Sequence, residues 1–241
     1  MNLVLDLGNT AFKWAIFDDK NLIFKGKLDY SNVVYEFPEW GKYDIKQVAV
    51  STVIEIPYQL KKNLEAFDFV LNINHNASLP IKNSYQTPGS LGVDRLVNAV
   101  AARYLSDKQE TLVIDCGTCL KIDLSTLENG FIGGSISPGI NMRYEALHNY
   151  THKLPSLKPM NFNKLTGIST NDSIHNGVIC GINNEILGSI ENYEREFPDI
   201  HIIITGGDLS YLEKITEKKA IFVEPDLTLI GINLILLHNI Q

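Results

Sequence analysis

The sequence predicts an α/β protein built from two similar halves. Residues 3–10 (Leu-Val-Leu-Asp-Leu-Gly-Asn-Thr) are echoed by residues 112–119 (Leu-Val-Ile-Asp-Cys-Gly-Thr-Cys), and the two aspartates lie 109 positions apart in a chain of 241 residues. Apolar strand-like runs alternate with helical spacing in both halves, which is typical of an α/β fold. The alternative is a chance similarity between two buried strands that end in glycine turns.

In the first half, the echoed motif reads as a hairpin whose second strand covers residues 11–17. Residues 47–53 (Gln-Val-Ala-Val-Ser-Thr-Val) read as a buried strand. Apolar side chains then recur at helical spacing and predict a helix over residues 90–105, which begins near Gly89 or Ser90. The polar residues 106–110 are the predicted linker, so the predicted domains are 1–106 and 107–241.

In the second half, a strand-like stretch over residues 120–124 follows the second copy of the motif. An apolar stripe from Ile174 to Phe197 predicts a long helix that Pro198 ends. Residues 201–205 (His-Ile-Ile-Ile-Thr) predict a buried strand that runs into two glycines. Residues 225–238 predict a turn followed by an apolar helix.

Composition excludes several classes of protein. An apolar content of 44% with 20% charged residues excludes a disordered chain. A formal net charge of −7 argues against binding to a nucleic-acid backbone. No apolar run approaches the ~20 residues of a membrane span, and the N-terminus lacks the basic region of a signal peptide. Three cysteines do not form a disulfide framework. We therefore expect a cytoplasmic protein without a membrane or nucleic-acid partner.

Residues 6–10 (Asp-Leu-Gly-Asn-Thr) form the first candidate site. A carboxylate that leaves a buried strand at a glycine turn lies where backbone N–H groups can approach a phosphate and the acid can hold a metal ion. Asn9 and Thr10 add hydrogen-bond donors, and Lys13 adds positive charge. The alternative is a hairpin whose polar residues only satisfy the turn. The second copy at residues 115–118 favours two facing hairpins that bind phosphate.

Two further segments carry polar residues beside glycines. Residues 205–208 (Thr-Gly-Gly-Asp) follow a buried strand, where glycines allow a flat ring or a sugar to lie against the backbone. Residues 92–95 (Gly-Val-Asp-Arg) fall in the first turn of the predicted helix, where the helix dipole favours an acid. A surface pair between Asp94 and Arg95 is the alternative there. Gly92 is unusual, because glycine within a helix costs stability unless another group needs close approach.

Together these motifs resemble those of the type III pantothenate kinases. Residues 6–10 resemble the opening motif of that family, and residues 85–95 (from Tyr-Gln-Thr-Pro to Gly-Val-Asp-Arg) resemble its substrate segment. The remaining motifs follow in the order of the family, at residues 115–118, 133–139, 205–207 and 225–227. The resemblance extends from Asp6 to Gly231.

The resemblance implies duplicated ribonuclease-H-like domains, as in the actin-like ATPases, with a cleft between the two lobes. It implies a homodimeric enzyme that phosphorylates pantothenate with ATP, the first committed step towards coenzyme A. It also implies Mg²⁺ with ATP and an activating monovalent cation, potassium or ammonium. The alternatives are another phosphotransferase of the same fold or a non-catalytic ATP-binding regulator, which would have no need of Asp94.

The resemblance also assigns roles to residues by position. Asp94 is the expected general base, Asp115 the expected site of the monovalent cation, and Asp6 the expected ligand of magnesium. The expected ATP contacts are Asp6, Leu7, Gly8, Asn9, Thr10, Ala11, Phe12, Lys13 and Thr118. The expected pantothenate contacts are Tyr85, Gly92, Val93, Asp94, Arg95 and Thr170. Thr170 has an alternative interpretation as a helix N-cap.

The sequence departs from the family pattern after the second glycine turn. Cys119, Leu120 and Lys121 replace small or hydroxyl residues, and Cys116 replaces an apolar or aromatic residue. The Cys116-x-x-Cys119 spacing also occurs in redox and zinc sites. A redox pair normally opens a helix, whereas this one interrupts a strand pattern, and no second pair completes four zinc ligands. We therefore interpret both cysteines as small apolar residues at a turn.

Overall fold

The structure is a computed structural model that describes residues 1–9, 12–28, 40–212, 215 and 221–240. Its strands are β1 (Asn2–Leu7), β2 (Phe12–Asp18), β3 (Asn21–Leu28), β4 (Gln47–Thr52), β5 (Val70–Ile73), β6 (Glu110–Cys116), β7 (Cys119–Thr126), β8 (Gly130–Pro138), β9 (His201–Thr205) and β10 (Ile221–Val223). The α-helices within these ranges are α1 (Tyr58–Leu64), α2 (Val93–Leu105), α3 (Ile140–Asn149), α4 (Thr170–His175), α5 (Gly181–Glu196) and α6 (Leu227–Asn239).

Two five-stranded sheets share one topology. The strand order is β3-β2-β1-β4-β5 in the first sheet and β8-β7-β6-β9-β10 in the second. In each sheet the central strand pairs antiparallel with the strand that follows it and parallel with a strand later in the chain. The strands of the two sheets therefore correspond one to one in chain order. The duplication predicted from the repeated Asp-x-Gly motif is confirmed.

The chain forms two compact units. Unit 1 contains residues 1–105, 129–132 and 226–241, and unit 2 contains residues 106–128 and 133–225. The division predicted from the sequence, at residues 106 and 107, assigns everything after the linker to the second half. In the structure, the first residues of β8 and the C-terminal helix belong to unit 1 instead.

Polar contacts explain why the C-terminal helix α6 belongs to unit 1. The Asn2 side-chain amide donates a buried hydrogen bond of 3.0 Å to Asn233 Oδ1, and Asn233 Nδ2 donates to the carbonyl oxygen of Asp19 at 2.7 Å. Just before the helix, Lys25 Nζ lies 2.6 Å from Asp226 Oδ2. The apolar residues of α6 pack against α2 and the first sheet. In the part of the chain described here, no helix is both long and apolar enough to cross a bilayer.

The long helix predicted for the second half is confirmed. It consists of α4 and α5, joined by one π-helical turn over Asn176–Cys180. Its predicted stripe, including Ile174, Ile182 and Ile190, is buried against the second sheet. The helix ends at Glu196, two residues before the proline that was predicted to end it.

Helix α2 begins three residues later than the sequence predicts. Residues Pro88–Ser90 form a 3₁₀ turn, and Leu91 then has the extended backbone angles φ −72° and ψ 129°. Helical geometry starts only at Val93. Gly92 therefore precedes the helix and does not lie inside its first turn as expected, whereas Asp94 does lie in the first turn.

Gly231 allows α6 to approach α2 closely within unit 1. A Cβ atom at this position would overlap the backbone carbonyl oxygen of Val97 and crowd the Val97 side chain. Backbone atoms cannot move aside as a flexible side chain can, so a methyl group here would force the two helices apart.

We predict that Gly231→Ala lowers the free energy of unfolding by about 1–3 kcal/mol, because it overpacks the contact between the helices. Urea denaturation followed by circular dichroism measures the change. Gly41→Ala is the control, because a Cβ at Gly41 meets open space; its effect is expected to stay within about 0.5 kcal/mol. Equal stability of the two variants would contradict the packing argument.

Candidate active site

Arg95 lies at the centre of an aromatic cluster in unit 1. The residue is only 4% exposed. The guanidinium carbon lies 5.7 Å from the ring centre of Tyr85 and 5.4 Å from that of Phe131, and the two rings are 5.8 Å apart. These distances are in the range of cation–π contacts. The structure thus brings together two residues that were predicted to bind substrate, Tyr85 and Arg95.

Sequence reasoning missed Phe131, the second ring of this cluster. Phe131 is fully buried against Leu91 and Leu96, and its backbone N–H donates to the carbonyl oxygen of Lys82 at 2.9 Å. This contact explains why residues 129–132 belong to unit 1. In the sequence, the rest of α2 and all of β6 and β7 lie between the predicted substrate segment and Phe131, so no local spacing indicates that the two are in contact.

The Asp94 carboxylate folds back over the residue that precedes α2. Its Oδ1 atom accepts a hydrogen bond of 3.0 Å from the backbone N–H of Arg95. A Cβ atom at Gly92 would lie only 2.5 Å from the same oxygen. Glycine is therefore required for this position of the carboxylate, which is the close approach that the unusual glycine indicated. The positive end of the helix dipole favours a negative charge there.

The first hairpin places Asp6 at the end of β1, directly opposite Lys13 on β2. Both side chains are half-buried, whereas Asn9 in the turn is exposed. Leu7 and Phe12 are fully buried in the core of unit 1, so their side chains face away from solvent and only their backbone is available to a ligand. Two predicted ATP contacts, Thr10 and Ala11, lie outside the described residues.

The second hairpin repeats this arrangement in unit 2. Asp115 on β6 is directly opposite Lys121 on β7. The two side chains form an ion pair, with 2.7 Å between Lys121 Nζ and Asp115 Oδ2, and are 14% and 16% exposed, respectively. The lysine that departs from the family pattern therefore contacts the carboxylate that was expected to hold a monovalent cation.

Three predicted motifs of unit 2 meet at the turn between β6 and β7. The backbone N–H of Gly139 donates to the carbonyl oxygen of Thr118 at 3.1 Å, and that of Asp208 donates to the carbonyl oxygen of Cys116 at 3.0 Å. Gly206 has φ +113°, and a Cβ there would overlap the Cys116 carbonyl. Thr118 itself is exposed at the turn. The motifs at residues 115–118, 133–139 and 205–207 thus form one surface at the carboxyl end of β6.

Negative charge accumulates beside this turn. Burial raises the pKa of Asp208, the backbone N–H of Ile140 lowers it by hydrogen bonding, and the charge of Asp115 raises it again. Burial, together with the charges of Asp115 and Asp208, also raises the pKa of the Cys116 thiol. Cys116 ends one strand and Cys119 begins the next, as the strand pattern predicted. A thiol that stays protonated is a poor nucleophile and a poor metal ligand.

Thr170 is the first residue of α4 in unit 2 and is exposed. Its alternative interpretation as the helix N-cap is wrong. The cap is Ser169, whose side-chain oxygen accepts a hydrogen bond of 3.1 Å from the backbone N–H of Asp172. Serine and threonine have similar preferences for the N-cap position, so residue type does not distinguish Ser169 from Thr170. The backbone angles do, because Ser169 has the extended conformation that a cap requires.

The duplicated sheets, each with a carboxylate at a glycine turn, define a member of the actin-like ATPase and sugar-kinase fold. The activator of 2-hydroxyisocaproyl-CoA dehydratase from Clostridium difficile, solved with bound ADPNP, has a similar structure with a TM-score of 0.56. The match covers 98% of this chain and 93% of that chain at 13% sequence identity. The predicted fold class is thereby confirmed.

Sequence comparison identifies the family. The family model described as type III pantothenate kinase matches residues 2–192. The type III pantothenate kinase of Christiangramia forsetii is 37% identical over 246 aligned positions, and the alignment covers 99% of each chain. The enzyme of the same name from Cytophaga hutchinsonii is 37% identical over 247 aligned positions, and the alignment covers 100% of each chain. The chain belongs to the type III pantothenate kinase family.

We predict that Gly92→Ala lowers kinase activity about tenfold to a hundredfold, because the new methyl group displaces the Asp94 carboxylate. The carboxylate oxygen that the methyl group displaces lies at the end of a flexible side chain. The free energy of unfolding is therefore expected to change by less than about 1 kcal/mol. Steady-state kinetics and urea denaturation measure the two effects. Gly41→Ala again serves as the control, and full activity of Gly92→Ala would contradict the role assigned to Gly92.

Proposed function

We propose that this protein transfers the terminal phosphoryl group of ATP to the primary alcohol of pantothenate, which yields 4′-phosphopantothenate for coenzyme A biosynthesis. Membership in the type III pantothenate kinase family supports the proposal. The observation that carries it is the Asp94 carboxylate, which Gly92 and the start of α2 hold next to the buried Arg95. A protein that only binds nucleotide has no need of this arrangement.

Asp94 is the proposed general base. A primary alcohol is a weak nucleophile at neutral pH, so a carboxylate must accept its proton as the new bond to phosphorus forms. Phosphoryl transfer otherwise needs placement and charge neutralisation more than covalent chemistry. Because Asp94 Oδ1 accepts a hydrogen bond from the main chain, the carboxylate has a defined orientation before substrate binds.

Arg95 is the proposed partner of the pantothenate carboxylate. An arginine can bind a carboxylate with two parallel hydrogen bonds, and burial strengthens such a contact. The rings of Tyr85 and Phe131 flank its guanidinium group and would restrict its orientation. Gly92, Val93 and Thr170 complete the proposed substrate contacts.

The two glycine hairpins are the proposed binding elements for the ATP phosphates. Gly8, Asn9 and Lys13 would contribute from the first hairpin, and Thr118 from the second. Leu7 and Phe12 would contribute backbone groups only, and Thr10 and Ala11 remain predictions from the resemblance.

Asp6 is the proposed protein ligand of Mg²⁺. Within the described residues, no group of three or more His, Cys, Asp or Glu side chains could hold a metal ion. A single half-buried carboxylate fits Mg²⁺, which is usually bound through one or two carboxylates, substrate phosphates and water. When bound, Mg²⁺ would neutralise charge on the triphosphate.

The cytoplasmic location of the protein also remains a proposal.

A coupled assay for ADP release tests the proposed function. We expect pantothenate to accelerate ADP release from Mg²⁺-ATP, whereas acetate and common hexoses do not. Acceleration by a sugar or by acetate alone would favour another phosphotransferase of the same fold. ATP binding without turnover on any of these substrates would favour a regulator.

We predict that Asp94→Asn lowers kcat about 10²- to 10⁴-fold, because the amide cannot accept the proton of the alcohol. Asparagine keeps an oxygen for the Arg95 N–H, so the melting temperature and the affinity for a non-hydrolysable ATP analogue should not change. Stopped-assay kinetics, differential scanning fluorimetry and calorimetry measure these three quantities. Asp68→Asn, at an exposed position, is the matched control. Retained turnover in Asp94→Asn would remove this residue from the mechanism.

The proposed assembly is a homodimer formed through unit 2. Single exposed apolar side chains are ordinary on a protein surface. Between α3 and α4, however, three such residues fall in one segment: Tyr150, Leu165 and Ile168 are 89%, 95% and 88% exposed, respectively. A second copy of the chain that covers them would remove this apolar area from water.

We predict that the protein sediments as a dimer and that Leu165→Glu combined with Ile168→Glu shifts it to a monomer. Two buried carboxylates would lack partners in the interface and would oppose association. Sedimentation velocity measures the shift. Leu127→Glu, at a position that is also exposed in unit 2, is expected to remain dimeric. A dimer that persists in the double variant would place the interface elsewhere.

A further inference from the structure

Lys121 occupies the position beside Asp115 at which the family resemblance implies an activating monovalent cation. The pair has 2.7 Å between ammonium nitrogen and carboxylate oxygen, and both side chains are largely shielded from water. The pairing is fixed by the strand register, because Asp115 and Lys121 are opposite each other in the ladder between β6 and β7. The pairing of β6 and β7 therefore keeps the ammonium group next to the Asp115 carboxylate.

The residues around Asp115 do not fit a free monovalent cation. A cation bound to the same carboxylate oxygen would lie next to the ammonium group, and two like charges at such a distance repel strongly. The other positions that depart from the family pattern offer no side-chain oxygen ligand, so a cation there would depend on Asp115 and main-chain carbonyl oxygens. Leu120 is buried and apolar, and the sulfur of Cys119, which lies 3.9 Å from the sulfur of Met142, is a soft ligand unsuited to a hard cation.

We propose that the ammonium group of Lys121 replaces the activating monovalent cation, so that this enzyme works without potassium or ammonium ions. This inference rests on the proposed kinase function. An alkylammonium group carries the same single positive charge as those ions and offers three N–H donors.

The acidic residues near Lys121 explain why a positive charge is needed at this position. Asp115 lies at the carboxyl end of β6, and Asp208 lies three residues beyond the end of the adjacent parallel strand β9, close enough for the charge of Asp115 to act on Asp208. Without a cation, this pair of acids would repel the triphosphate at the neighbouring Gly117-Thr118 turn. Lys121 offsets one of the two charges permanently, whereas a dissolved ion would do so only when bound.

The test compares cation dependence in the wild type and in variants of Lys121. ADP release with ATP, pantothenate and Mg²⁺ is measured in choline chloride, potassium chloride and ammonium chloride at constant ionic strength, so that general screening is the same in each. The wild-type rate is expected to differ by less than about twofold among the three salts. Lys121→Met is expected to lose at least about tenfold in choline chloride and to regain most of this loss in potassium or ammonium chloride.

Three further variants separate charge from structure. Lys121→Arg keeps a positive charge and is expected to remain independent of the salt cation. Lys121→Gln keeps length without charge and is expected to behave like Lys121→Met, which provides a second uncharged variant should the methionine fail to fold. Lys153→Met removes an exposed lysine from unit 2 and is expected to match the wild type.

A second measurement does not depend on turnover. The melting temperature and the affinity for a non-hydrolysable ATP analogue are compared between choline and potassium chloride. Potassium should leave both unchanged in the wild type and raise both in Lys121→Met and Lys121→Gln.

Activation of the wild type severalfold by potassium would overturn the proposal. So would folded Lys121 variants whose lost activity and melting temperature do not respond to any cation, because Lys121 would then be purely structural. If the wild type released no ADP with pantothenate in any salt, the proposed kinase function would fail. The melting temperatures would still report whether Lys121 replaces a cation.

Discussion

Each unit places a carboxylate opposite a lysine at the point where its central strand ends. In unit 1 the residues are Asp6 and Lys13, and in unit 2 they are Asp115 and Lys121. A carboxylate that leaves a buried strand loses solvation, which must be offset by an opposite charge or by hydrogen bonds. In unit 2 the lysine across the hairpin supplies that charge without a tertiary contact. The glycine turns and the surrounding main-chain N–H groups are arranged around these two positions.

Much of the fold could be predicted because its signals are local. The repeat of an acid and a glycine after an apolar run predicted two related hairpins, and the stripe from Ile174 to Phe197 predicted the long helix of unit 2. Both patterns follow from which side chains face a core, so they are visible over short stretches of chain. The later start of α2 was not visible, because the extended angles of Leu91 have no marker in the residue types.

The features that were missed depend on contacts between distant parts of the chain. Phe131 completes the cluster around Arg95 from another strand, and the C-terminal helix packs with the N-terminal strand through Asn2 and Asn233. Neither contact leaves a periodic pattern. Lys121 differs from these cases, since the register of a short hairpin places it opposite Asp115. Lys121 departs from the family pattern in the sequence, and the structure shows that its ammonium group pairs with the Asp115 carboxylate.

The position of helix α6 has a consequence for how the protein is made. Residues of β1 and of helix α6 share the interior of unit 1, so this unit cannot be completed until residues 227–239 have left the ribosome. Unit 2, which consists of residues 106–128 and 133–225, is fully synthesised before then. The nascent chain must therefore keep the apolar surface of its first sheet from aggregating while the rest is translated, a period in which chaperones commonly protect such intermediates.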